Sequence, residues 1–71
     1  MEWADLNSNG FKRVGYDEEL KQLHVRTEDG KYIIYYEVRE SDYVGMYSSR
    51  NMREFYENNI VNRFPYTEVS Q

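Results

Sequence analysis

Apolar and polar residues alternate with period two through the first half of this chain and switch to helical spacing after Val38. Residues 11–16 read as a strand with Val14 and Tyr16 on one face. Gly15 inside it predicts a bulge or a close backbone approach. Asp17-Glu18-Glu19 supplies a turn. Residues 21–28 alternate Leu23, Val25 and Thr27 against Gln22, His24 and Arg26, a second strand. Asp29-Gly30 predicts a type I′ hairpin, because that turn needs positive φ at both central residues. Residues 31–38 form the third strand. Their middle is apolar on both faces, as expected of a central strand.

Beyond Val38, Ser41 is the expected cap of a short helix over residues 42–48, with Tyr43, Met46 and Tyr47 on one face. Gly45 weakens that helix by about 1 kcal/mol relative to alanine, so it needs the sheet to persist. Ser48-Ser49-Arg50 breaks it. Asn51 followed by Glu54 resembles a capping box for a second helix over about 52–62. Met52, Phe55, Tyr56 and Ile60 make one stripe on it. Pro65 ends anything helical by disfavouring the α region at Phe64. Residues 66–69 read as an edge strand or a packed tail, and 70–71 as a tail. Trp3 and Leu6, three apart, suit one helical turn within residues 1–7, or a frayed terminus. Ser8-Asn9-Gly10 is a loop signal. The fold expected is therefore α+β: a three-stranded antiparallel meander followed by two short helices packed on one face. Residues 8–69 form a single domain.

Composition narrows the chemistry. With 71 residues and no cysteine, a core of this size supplies roughly 3–5 kcal/mol with no disulfide to help. Eight tyrosines against three phenylalanines suit a thin core, or a contact surface, since a tyrosine buries a ring and keeps a polar tip. The net charge is −4 with the signs interspersed, and nonspecific nucleic-acid binding runs on clustered Lys and Arg. No apolar run approaches the ~18 residues of a membrane span. Met1 is followed by Glu2 and Asp5, without a basic and then apolar stretch. A cytoplasmic location is expected.

One ordered set of residues resembles a known family. Ser8, Phe11, Val14, Gly15, Tyr16 and Asp17 hold the places of a Ser-Ser-x-Ile-x-x-Ile-Gly-Tyr-Asp opening, with Asn9 at the second serine. Leu23-His24-Val25, Gly30 and Tyr35-Tyr36-Glu37-Val38 follow in order, with Arg39 where a proline is usual. Tyr43-Val44-Gly45-Met46 matches a Tyr-x-x-Leu helix. Phe55-Tyr56 and Ile60 match the last helix, where Asn58 and Asn59 compete for one position. Phe64-Pro65-Tyr66 stands for a closing Tyr-x-Tyr. The layout resembles the KTSC domain, a short module named for its occurrence at the C-terminus of some lysyl-tRNA synthetases. It is also found as small free-standing proteins, some in phages and prophages. The resemblance covers residues 8–69 and implies an accessory or binding module with no established catalytic residues.

The residues agree with that implication. His24 lies on the face opposite Leu23 and Val25, so it is expected at the surface or in a cross-strand contact. No nucleophile or orienting carboxylate is fixed beside it. Asp17-Glu18-Glu19 reads as a solvated turn, because a calcium or magnesium site needs several oxygens around one gap. No cofactor or metal is expected, and no enzyme. If the third strand is central, two short helices cannot cover both its faces. One of the sets Ile33/Tyr35 and Ile34/Tyr36 is then expected on the open side of the sheet as the candidate protein interface, unless Trp3–Leu6 or Phe64–Val69 covers it. A protein partner is expected, with a homodimer through this face as one form. The alternative is RNA or tRNA contact through Arg50, Arg53, Arg63 and Tyr47. The pairs Arg50–Glu54 and Arg53–Glu57 weigh toward a solvated helix face. A phage-encoded inhibitor of a host protein is a third reading.

Overall fold

The Asn9-Gly10 dipeptide makes the first hairpin. Both residues are left-handed (φ 56° and 84°), so a two-residue primed turn joins β1 (Glu2–Ser8) to β2 (Phe11–Asp17). The structure, a computed structural model, describes residues 1–69, and the tail at 70–71 lies outside the described residues. Residues 1–7, expected as a helical turn or frayed end, are instead drawn into β1 by this turn.

β3 (Gln22–Thr27) and β4 (Tyr32–Tyr35) follow. Their connection is not the expected type I′ turn, for only Gly30 (φ 94°) is left-handed there. Thr27 accounts for the wider loop. Its hydroxyl oxygen accepts from the Lys31 N–H at 3.0 Å and donates to the Asp29 carboxylate, and its own N–H donates to the Lys31 carbonyl at 2.9 Å.

The chain then leaves the sheet for α1 (Glu40–Ser48) and α2 (Met52–Asn59) and returns as β5 (Tyr66–Val69). Arg39, not Ser41, is the N-cap of α1, and the Asp42 carboxylate accepts from the Arg39 N–H at 3.2 Å. That contact starts the helix two residues early. Asn51 caps α2 as expected, its Oδ1 accepting from the Glu54 N–H at 3.1 Å. α2 ends at Asn59 rather than near 62, because the N–H groups of Ile60 and Val61 both turn back to the Tyr56 carbonyl at 3.0 Å.

All neighbouring strands are antiparallel, in the order β1-β2-β3-β4-β5. The architecture is α+β with two helices, but the meander has five strands rather than three. Its central strand is β3, and residues 66–69 are an edge strand. Val14 pairs with Val25 and Val25 with Ile33, while Tyr16 pairs with Leu23 and Leu23 with Tyr35. These pairs face the helices. Phe11 and Val14 would alternate to opposite faces in a regular strand, and a register shift between Phe11 and Arg13 brings both into the core. Met46 from α1, Tyr56 from α2 and Ile60 complete that core, with Val38 sealing the turn between sheet and helix. Helix α1 persists although Gly45 weakens it, because Phe55 of α2 abuts Gly45.

Candidate functional site

Strand register sorts the side chains of the uncovered sheet face into rows. Trp3, Gly15, His24, Ile34 and Thr67 lie across one row, and Asp5, Arg13, Arg26, Tyr32 and Val69 across the next. Gly15 has no side chain, so the indole of Trp3 settles over it. A Cβ at Gly15 would lie 3.3 Å from the indole and 3.1 Å from the Glu2 carbonyl oxygen. This is the close approach that Gly15 predicts. The Trp3 ring meets His24 edge-on at 5.9 Å and Tyr32 at 6.0 Å. Replacing Gly15 by valine should push the indole away and cost about 1–3 kcal/mol. Urea unfolding followed by the fluorescence of Trp3, the sole tryptophan, would measure it, and an unchanged midpoint would exclude the contact.

His24, expected at the surface or in a cross-strand contact, is buried at 7% exposure and meets Tyr32 of the neighbouring strand β4. The surface reading is overturned by β1, which brings Trp3 across the sheet to cover it. Gln22 Oε1 can only accept, so His24 Nε2 donates to it at 3.1 Å, and Nδ1 accepts from the Tyr32 hydroxyl at 2.6 Å. Both ring nitrogens are engaged and no base is left free. Burial holds the imidazole below its ordinary pKa, with Asp17 opposing more weakly. Arg26 lies over Tyr32 at 4.7 Å and Arg13 over Trp3 at 6.0 Å. Arg13 Nε is also 3.1 Å from Asp5 Oδ1, an exposed ion pair worth little. The aromatic groups of this face are thus occupied with one another.

Of the two alternate sets, Ile33 and Tyr35 face the core, and Ile34 and Tyr36 lie on the open side. Tyr35 is a core residue at 3% exposure, its hydroxyl 2.6 Å from that of Tyr56. Ile33 packs against the same core. Ile34 lies on the uncovered face, half-buried. Tyr36 lies just past the end of β4 and donates to Thr67 Oγ1 at 3.1 Å. The candidate nucleic-acid residues lie on and around α2, with Tyr47 on α1. Arg50 precedes α2 and Arg63 follows it, separated by a helix roughly 12 Å long. Arg53 is tied to Glu57 at 3.2 Å and to the Asn9 carbonyl at 3.2 Å. Arg63 lies over Phe64. Tyr47 is exposed on α1.

Tyr47 helps to line a cleft of about 320 Å³ between α1 and β1, with Glu2, Trp3, Ala4, Tyr43 and Val44. The cleft exists because Tyr43 stacks on Tyr16 of β2 (5.4 Å, 11° between planes), which anchors α1 one strand inside the edge. Ala4, on the helix-facing side of β1, is too small to fill the gap. Val44 is 52% exposed and Tyr47 48% exposed. β1 ends the strand order, so its outer edge has no strand partner among the described residues. Ala4 does not stand out in the sequence. The available signal was Val44, an apolar residue off the stripe of α1. Among the described residues no group of three or more His, Asp or Glu could hold a metal ion, and no helix is long and apolar enough to cross a membrane.

The family model of the KTSC domain matches residues 7–64. The crystal structure of a KTSC domain protein from Yersinia pestis superposes with a TM-score of 0.87 at 20% identity, covering 97% of each chain. At that identity the likeness is one of fold. No curated protein matches the chain.

Proposed function

This chain belongs to the KTSC domain family, and on that premise we propose that it is a small non-enzymatic binding module acting through a protein partner. The observation that carries the reading is the cleft beside the β1 edge, where Val44 and Tyr47 stand exposed over a gap that none of the described residues fills. Exposed apolar and aromatic side chains in a concave surface with a charged rim are what a protein partner uses. A homodimer through the uncovered sheet face has less support, because Trp3, His24 and Tyr32 are engaged within one chain. RNA contact through the arginines has less support, because Arg53 is held by Glu57 and the Asn9 carbonyl.

Immobilised wild-type chain and its Val44→Glu and Arg50→Ala/Arg63→Ala variants, exposed to lysate of the source cells with and without nuclease treatment, test this. One protein retained in stoichiometric amount by the wild type and by the arginine variant, and lost by Val44→Glu, is the expected outcome. Loss with the arginine variant, or after nuclease treatment alone, would put nucleic acid first. Retention by Val44→Glu would remove the cleft from the interaction.

A further inference from the structure

We propose that the β1 edge and its cleft receive an extended, Lys- or Arg-bearing segment of the partner, which joins the sheet as a sixth strand. This rests on the reading of the cleft as the partner site and adds the chemistry of what enters it. Three features lead there independently.

The first is backbone. β1 spans seven residues and carries along its outer side a row of N–H and C=O groups with no strand partner among the described residues, and such an edge templates another strand. Its pairing with β2 is regular from Glu2 to Asp5, and the register shift and Asn7 (φ 50°) bend away only its far end. The regular part is about 13 Å long. The opposite edge, β5, has four residues and is preceded by Pro65. The second feature is the neighbouring helix. A groove between an edge strand and a helix takes an extended peptide, with ladder hydrogen bonds for affinity and alternate side chains for specificity. An apolar side chain pointing toward α1 would meet Val44 and Tyr47.

The third is charge. The cleft continues past Tyr43 and Val44 into a hollow lined by Glu2, Glu18 and Glu40. Beyond Tyr16 it reaches another hollow with Asp17 and Glu19. No Lys or Arg lines the cleft or either hollow. The Tyr16 phenol lies in this field. Its pKa is raised first by burial and then by Glu40, Glu18, Asp42 and Asp17. A cationic segment is complementary to this rim, and an acidic one is repelled by it.

The test is an amide-resolved NMR titration of the whole chain with capped heptapeptides. One alternates lysine with valine, and one alternates glutamate with valine. The lysine peptide is also prepared with every second amide N-methylated, in both registers. The lysine peptide should shift the resonances of Glu2 to Asp5, Val44 and Tyr47. Its affinity should fall at least tenfold with N-methylation in one register, and again between 50 and 500 mM salt. The glutamate peptide should bind at least tenfold more weakly. Ala4→Leu should fill the cleft and weaken binding to the same degree. If that variant fails to fold, Val44→Lys on the exposed side of α1, which adds a like charge to the peptide's own, serves instead. Equal or tighter binding of the glutamate peptide would overturn the basic partner and leave the cleft as the partner site. Indifference to N-methylation in both registers would overturn strand addition. If no peptide moves these resonances, the inference falls. The cleft as partner site is then judged by the Val44→Glu capture, which does not depend on these peptides.

Discussion

Alanine at Tyr35 should leave this protein largely unfolded at 25 °C. The ring is 3% exposed, pairs across the sheet with Leu23, and meets Tyr56 edge-on at 5.8 Å. Truncating a buried aromatic costs about 3–5 kcal/mol, which matches the roughly 3–5 kcal/mol that a core of this size supplies. A circular-dichroism urea titration should show no folded baseline. A variant retaining a full unfolding transition would mean that the ring is not a core element. Phenylalanine at Tyr35 separates the hydroxyl from the ring. It leaves the Tyr56 hydroxyl, 2.6 Å from that of Tyr35, without this buried partner, at a cost of about 1–3 kcal/mol. Adding Tyr56→Phe removes the orphaned group, so the double variant should recover part of the loss. Simple additivity would show that the two hydroxyls do not interact.

The second large effect is on pH dependence. Burial lowers the pKa of His24 in the folded protein below its ordinary 6.5. Between the folded and unfolded values the unfolded chain binds the extra proton, so stability falls as pH falls. The stability tied to neutral His24 is fully present above pH 6.5. It is lost as pH drops below that, by at most about 1.4 kcal/mol per unit for one proton. Carboxylates contribute mainly lower, near pH 4. Unfolding free energies measured from pH 7.5 to 5.5 should slope downward toward acid in the wild type. In His24→Gln, which cannot take up a proton, they should be nearly flat. The same slope in both proteins would exclude His24 as the titrating group.

The legible parts of this fold were those where one face is uniformly apolar. β2, β3 and the stripe of α2 are read from period alone, since Val14, Leu23, Val25, Tyr56 and Ile60 point into one core. β1 lacks that uniformity. Its helix-facing side holds Glu2 and Ala4, and its outer side Trp3 and Asp5. The three-residue spacing of Trp3 and Leu6 imitated a helical turn. Asn9-Gly10 carried the missing information, being the primed-turn pair that requires a strand on each side. Without β1, His24 had nothing above it, and its burial was out of reach. The cleft was hidden for a related reason. It is defined by a side chain too small to fill it, Ala4, and by a stacking contact between Tyr16 and Tyr43 that crosses 27 residues. Neither leaves a periodic trace. Within the candidate interface, alternation separates Ile33 and Tyr35, which face the core, from Ile34 and Tyr36, which lie on the open side, and period alone does not say which set is which.

The strand order also bears on how the chain finds this structure. Each of the first four strands pairs with the one just made, through short turns. Only β5 must wait, because both helices intervene between it and β4. Low sequence separation of contacts favours rapid folding, whereas closure of a long loop adds entropy that must be overcome first. The first four strands and the long arm to β5 therefore belong to different moments of the folding reaction. In native-state hydrogen exchange, the amides that pair β4 with β5, with the Tyr36 N–H that donates to the Pro65 carbonyl, should open at lower free energy than those joining β2 to β3.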